Sequence, residues 1–202
     1  TSTVFHVAAR SLAAQGLFIN DVVVLGTSVR DFHRANAPNG SVRAFDVRSG
    51  TARWSFDPIP RSAEDPAYAG WSEAAARDTG AGNVWGVMSA DPERDLLFMP
   101  TSSPSPDFFG GTRPGDNRYA DSIVALHGAT GKVAWHFQTV HHDVWDYDNA
   151  AQPTLIELGK DGKPRVLPRS AGSGSALSFA KLAYGISSDL KPRPILDELL
   201  RL

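Results

Sequence analysis

Residues 44–54 read AFDVRSGTARW, and residues 125–135 read ALHGATGKVAW. Both have the form A-x-D-x-x-x-G-x-x-x-W, with His127 standing in the Asp position of the second copy. Each copy predicts a strand, a tight turn closed by glycine, and a second strand ending in a large aromatic residue. Such a hairpin cannot cover its own apolar face. It needs a neighbour of the same kind, so the repeat predicts sheets stacked on sheets.

Short apolar runs surround the repeat at residues 21–29, 42–47, 52–56, 84–89, 96–100, 122–126, 133–137 and 154–158. They are separated by clusters of Gly, Asp, Asn and Pro, and the chain holds 18 Gly and 14 Pro. This punctuation predicts an all-β protein of antiparallel sheets. The single helical candidate ahead of residue 165 is the brief SEAAAR at residues 72–77. Trp54 and Trp135 read as packing residues at hairpin ends.

Composition excludes several classes. With 202 residues, 42% of them hydrophobic, the chain has enough apolar material for one domain-sized core. Its 20 Lys and Arg are scattered and its formal charge is −2, which argues against nucleic acid as a partner. No run approaches the roughly 20 apolar residues that span a bilayer. No basic segment followed by an apolar core opens the chain, and its TSTVF start reads like the interior of a domain. The absence of cysteine excludes disulfides and thiolate metal sites.

The repeated element resembles the tryptophan-docking motif of eight-bladed quinoprotein dehydrogenases, which use pyrroloquinoline quinone (PQQ). Further runs carry the resemblance: NVWG at 83–86, SSPSPDFFGG at 102–111, RPGDNRY at 113–119 and TVHHDVWD at 139–146. In detail they look most like the membrane-bound glucose/quinate/shikimate branch, over about residues 15–165. The resemblance implies β-propeller blades, a partial eight-bladed ring in which residues 1–165 form two to three blades. It implies oxidation of a sugar, polyol or cyclitol hydroxyl, with electrons passed to ubiquinone, at the periplasmic face of the inner membrane. Membrane attachment is then expected from segments outside this chain.

Position by position, the resemblance makes Asp146 the catalytic base, taking the hydroxyl proton while hydride leaves the carbinol carbon for the quinone. It places Trp85 flat against PQQ, with Asn83 and Ser28 as polar contacts to the cofactor. Asp31 falls where the family has an acidic ligand for Ca²⁺ or Mg²⁺, Ser103 falls where relatives have a metal-binding Asn, and Ser105 is a second nearby candidate. Taken without the family, Trp85 reads as a core aromatic, Asp31 as a solvated loop acid and Asp146 as a turn or cap residue. The cluster His141, His142, Asp143, Asp146 and Asp148 suggests a metal site by composition, but adjacent histidines on a strand point to opposite faces. Pro104, Pro106, Gly110 and Gly111 read as loop-shaping residues.

The sequence also departs from the family pattern. Phe32 follows Asp31 where the branch usually has Asn. Lys160 and Lys163 do not match the place of the family's cation near the quinone. After about Arg165 the pattern stops, and residues 166–202 read as a divergent tail, irregular or weakly helical, as from a frameshift or misjoined gene. The alternatives to an enzyme are therefore an inactive truncated fragment and a non-enzymatic propeller-type binding module. The chain alone is expected to bind PQQ poorly and to turn over nothing.

Overall fold

The computed structural model describes residues 12–31, 34, 36–157 and 178–181. Strands β1 (Leu12–Ile19), β2 (Val22–Ser28), β3 (Val42–Asp46) and β4 (Ala52–Phe56) form one four-stranded sheet in sequence order. Strands β5 (Ser89–Asp91), β6 (Leu96–Pro100), β7 (Ser122–His127) and β8 (Val133–Gln138) form a second sheet with the same order. All neighbours in both sheets are antiparallel. A separate pair joins β9 (Thr154–Glu157) to β10 (Ser178–Lys181). One short helix, α1 (Glu73–Asp78), begins at Ser72, whose hydroxyl accepts from the Ala75 amide at 3.2 Å. That is the helix expected from SEAAAR.

The two copies of the repeat fold alike. Ala44 stands opposite Trp54 and Ala125 opposite Trp135, and in both hairpins the register slips at the next residue. Gly50 and Gly131 close the turns with φ of 71° and 69°. Their amides donate to the carbonyls of Asp46 and His127 at 2.9 and 2.8 Å. The Asp46 carboxylate caps its own turn by accepting from the amides of Arg48 and Ser49. His127 offers no carboxylate. Instead Asp95, from the turn before β6, accepts from the Ala129 amide at 3.1 Å. A carboxylate borrowed from the neighbouring turn fills the same role, which explains why the second copy tolerates histidine.

Alternation along the strands builds the core between the sheets. Val22, Val24, Val42 and Ala44 of the first sheet meet Leu97, Met99, Val124 and Leu126 of the second, with Phe56, Val84, Met88 and Tyr119 in the same cluster. Trp54 fastens this seam. Its indole N–H donates to the Gly128 carbonyl at 2.8 Å. A Cβ on Gly131 would sit 2.5 Å from Trp54 Cδ2, so the indole lies directly on the turn of the next repeat.

Three expectations change. Leu12–Ile19 is a strand, although its LAAQGLFI sequence lacks clean alternation. Residues 84–88, expected as strand, run as irregular chain, and pairing starts only at Ser89. The physical reason is that this stretch runs beneath the site described below and turns Trp85 outward. His141 and His142 lie beyond the end of β8, so strand alternation does not govern them; His142 has φ 49°. Of the divergent tail, only Ser178–Lys181 is described, and it pairs as a strand. Phe32, Lys160 and Lys163 lie outside the described residues.

Trp54→Phe retains bulk and loses the indole hydrogen bond, so it is expected to cost about 1 kcal/mol of stability in urea titration. Gly131→Ala places a Cβ both at positive φ and inside the indole, and is expected to cost more than about 1 kcal/mol.

Candidate active site

The site is assembled on an irregular segment, residues 80–88, trapped between the two sheets. Backbone hydrogen bonds run from Ala81 N to Pro38 O, from Gly82 N to Ser103 O and from Ser102 N to Asn83 O, at 2.9, 3.0 and 2.9 Å. The approach is close: a Cβ on Gly26 would lie 2.2 Å from the Val84 carbonyl oxygen. Glycine is therefore required in β2 where this segment crosses it. Asn83 is buried, with its amide nitrogen donating to the Thr27 carbonyl at 3.0 Å and its oxygen accepting from Ser102 Oγ at 3.1 Å. It staples the end of β2 to the segment after β6. Ser28, next to Thr27, is half-buried at the end of β2.

With Asn83 and Val84 held inside, Trp85 emerges, 38% exposed. Its indole N–H donates to Asp148 Oδ2 at 2.6 Å, and the other oxygen of Asp148 accepts from the Ser103 amide at 2.8 Å. Asp148 belongs to the loop that also carries Asp146. That loop is shaped by Asp143, whose oxygens accept from the Trp145 amide at 3.1 Å and the Tyr147 amide at 2.8 Å. Between these two amides Asp146 adopts φ 60°, a left-handed conformation that a residue with a Cβ takes only when its surroundings impose it. Asp146 is exposed, and burial of part of its surface, with the Asp143 charge, raises its proton affinity.

Beneath the loop lies a buried polar network. Ser103 Oγ touches Asp121 Oδ1 at 3.0 Å and Asp143 Oδ2 at 2.5 Å. One hydroxyl has one proton, so two ionised carboxylates cannot both be satisfied there. Burial, and then the Asp143 charge, raise the proton affinity of Asp121 well above the usual carboxylate range. The guanidinium of Arg113 is wholly buried and donates to Asn117 Oδ1 at 2.7 Å and to the Asp143 carbonyl. Ser105 Oγ turns away, accepting from the Gly80 amide at 3.1 Å.

Asp107 is a residue that the sequence pattern did not single out. It is 2% exposed, and its Oδ1 has no hydrogen-bond partner. Burial, followed by the charges of Asp31, Asp146 and Asp148, pushes its carboxyl up to about 7. These four acids therefore share one neighbourhood. Asp143, Asp146 and Asp148 lie close together in the sequence, whereas Asp107 stands in the separate SSPSPDFFGG run. Phe108, Phe109, Trp145 and Tyr147 stand exposed in the same two loops.

The donor set fits a hard divalent cation by charge and by its all-oxygen chemistry. The unpartnered Asp107 oxygen and the crowding of like charges are consistent with such an ion. Among the described residues, however, no group of three or more His, Asp or Glu is arranged to hold a metal by itself. Ser103 and Ser105 use their hydroxyls within the fold. The exposed Trp85 face, fixed at its N–H edge, fits a flat aromatic ligand.

Consecutive four-stranded antiparallel meanders stacked face to face define a β-propeller protein. The chain belongs to the PQQ "glucose/ethanol/alcohol dehydrogenase, beta-propeller domain" family, whose model matches residues 6–167. It is 39% identical over 148 residues to the quinoprotein glucose dehydrogenase of Escherichia coli (strain K12), covering 73% of this chain and 18% of that protein. It is 40% identical over 149 residues to the quinate/shikimate dehydrogenase (quinone) of Acinetobacter baylyi, covering 72% and 18%. Among solved structures, the quinohemoprotein alcohol dehydrogenase ADHIIG of Pseudomonas putida HK5 superposes with a TM-score of 0.62 at 31% identity, covering 74% of this chain and 23% of that one. The chain thus spans about one fifth of the length of these relatives. No described helix is long and apolar enough to cross a membrane.

The raised carboxyl of Asp107 fixes the sign of a pH effect. Its folded state binds a proton between about pH 4 and 7 where the unfolded chain does not, so stability falls as pH rises through that window. Asp107→Asn, neutral throughout, is expected to flatten this slope and to gain stability at pH 8 relative to pH 5. Urea midpoints in chelator-containing buffer measure it.

Proposed function

We propose that this chain supplies the cofactor platform and the proton acceptor of a PQQ-dependent dehydrogenase acting on a sugar, polyol or cyclitol hydroxyl. One observation carries the proposal: the exposed Trp85 indole is tied to Asp148, two residues from the exposed, left-handed Asp146. A flat apolar platform and a carboxylate of raised proton affinity are thereby brought to the same loop.

In this reading Trp85 would lie against the cofactor with Ser28 as a polar contact beside it, and Asn83, assigned to the cofactor by the family pattern, has its amide buried against Thr27 and Ser102. Asp146 orients the substrate hydroxyl and takes its proton; a positioned base of this kind contributes about 10²- to 10⁴-fold to the rate. Asp31 would be the acidic ligand of a Ca²⁺ or Mg²⁺ ion, with the 103–105 segment beside it. Ser103 and Ser105 are assigned to the same ion by the family pattern alone, since the Ser103 hydroxyl bonds Asp121 and Asp143 and the Ser105 hydroxyl accepts from the Gly80 amide. PQQ held there would supply the hydride acceptor for the carbinol carbon. Phe108, Phe109, Trp145 and Tyr147 keep the approach apolar and restrict water around Asp146.

The glucose and quinate/shikimate dehydrogenases among the relatives support a cyclic polyol as substrate class. Ubiquinone as acceptor, a periplasmic active site and attachment to the inner membrane belong to the same proposal. So does the division into blades over residues 1–165 and a divergent segment over 166–202. Because the chain spans about a fifth of these relatives, turnover is expected to require the remaining blades.

The test is a chimera in which the matched segment of this chain replaces its counterpart in the E. coli quinoprotein glucose dehydrogenase. Reconstituted with PQQ and Mg²⁺ or Ca²⁺, it is expected to reduce an artificial acceptor with glucose. Asp146→Asn should lower kcat by about 10²-fold or more while PQQ binding persists. Unchanged kcat in that variant rejects Asp146 as the base. Trp85→Ala should instead raise the PQQ concentration needed for half-reconstitution.

A further inference from the structure

We propose that Asp148 is a positioning residue, fixing the plane of the Trp85 indole and tying it to the loop that carries Asp146. The proposal rests on Trp85 being the cofactor platform, and it assigns a role to a residue outside the sequence motifs.

Both oxygens of Asp148 are committed to other segments. Oδ2 accepts from the Trp85 indole N–H at 2.6 Å and Oδ1 accepts from the Ser103 amide at 2.8 Å. One side chain thus joins the segment after β6, the irregular stretch before β5 and the loop after β8. The Ser103 amide is itself fixed, because the neighbouring Gly82 amide donates to the Ser103 carbonyl at 3.0 Å. The carboxylate is therefore held in place before the indole meets it.

This matters because Trp85 is 38% exposed and would otherwise rotate about its side-chain bonds. An indole anchored at its N–H edge keeps its face presented, and its ordering does not have to accompany ligand binding. A charge-assisted N–H bond to a carboxylate also raises electron density in the ring, which favours stacking against an electron-poor partner. Asp146 sits two residues away in the same loop. Fixing Asp148 therefore sets where the proton acceptor stands relative to the platform.

The test uses the full 202-residue chain labelled with ¹⁵N, in which the five tryptophans give five indole N–H signals. Loss of one signal in Trp85→Phe identifies Trp85. The Trp54 signal, bonded to Gly128, reports that the sheets remain docked. Asp148→Ala is expected to speed exchange of the Trp85 indole proton with water about tenfold or more, leave the Trp54 signal in place, and be rescued in large part by Asp148→Glu. Titration with PQQ to millimolar concentration should shift the Trp85 signal, with a midpoint about tenfold higher in Asp148→Ala. Should that variant lose the Trp54 signal, Asp148→Asn, which keeps the size and leaves one neutral acceptor for the two N–H donors, carries the same comparison. Unchanged exchange and an unchanged PQQ midpoint overturn the positioning role and leave the platform standing. If PQQ shifts Trp85 no more than Trp54, the platform itself fails, and the role of Asp148 falls with it.

Discussion

The seating of the Trp54 indole on the Gly128–Gly131 turn is the constraint on which the other features depend. It joins the last strand of one sheet to the glycine turn of the next through an N–H···O=C bond and direct packing on an α-carbon. With that seam closed, Val22, Val24, Leu97 and Leu126 are buried between the sheets. The glycine serves two purposes, since the turn needs its positive φ and the indole needs its missing Cβ. A single residue type satisfying both demands explains why the element repeats as a unit.

The same docking creates the space in which residues 80–88 are trapped. Their backbone is satisfied by Pro38 on one side and by Ser102, Ser103 and Ser105 on the other instead of by a regular ladder. Irregular chain held this firmly is well suited to presenting a side chain, and Trp85 is the one presented. The loop after β8 is held equally firmly by Asp143 acting on two backbone amides. Rigid sheets thus position two non-repetitive segments whose side chains meet at Asp148.

Charge organises what lies beneath. Several carboxylates converge near the buried Arg113, and burial together with their mutual charge raises the proton affinity of Asp121 and Asp107. Asp148 contributes to both shifts and also accepts from the Trp85 indole, which links the acidic neighbourhood to the exposed aromatic side chain.

Much of this was legible in order. The spacing of alanine, glycine and tryptophan in the repeat determined the hairpins, because strand alternation and the glycine turn are local properties of a few residues. The motifs around Trp85 and Asp146 marked the two segments that meet. What the sequence did not disclose was the meeting itself. Trp85 and Asp148 are 63 residues apart, and the run at 84–89 reads as strand although residues 84–88 are irregular and pairing begins at Ser89. Asp107, Asp121 and Arg113 look like surface residues in a line of text; burial makes them a network. Local geometry is written in short-range sequence, whereas hydrogen-bond partners, burial and charge crowding arise only when the two sheets dock.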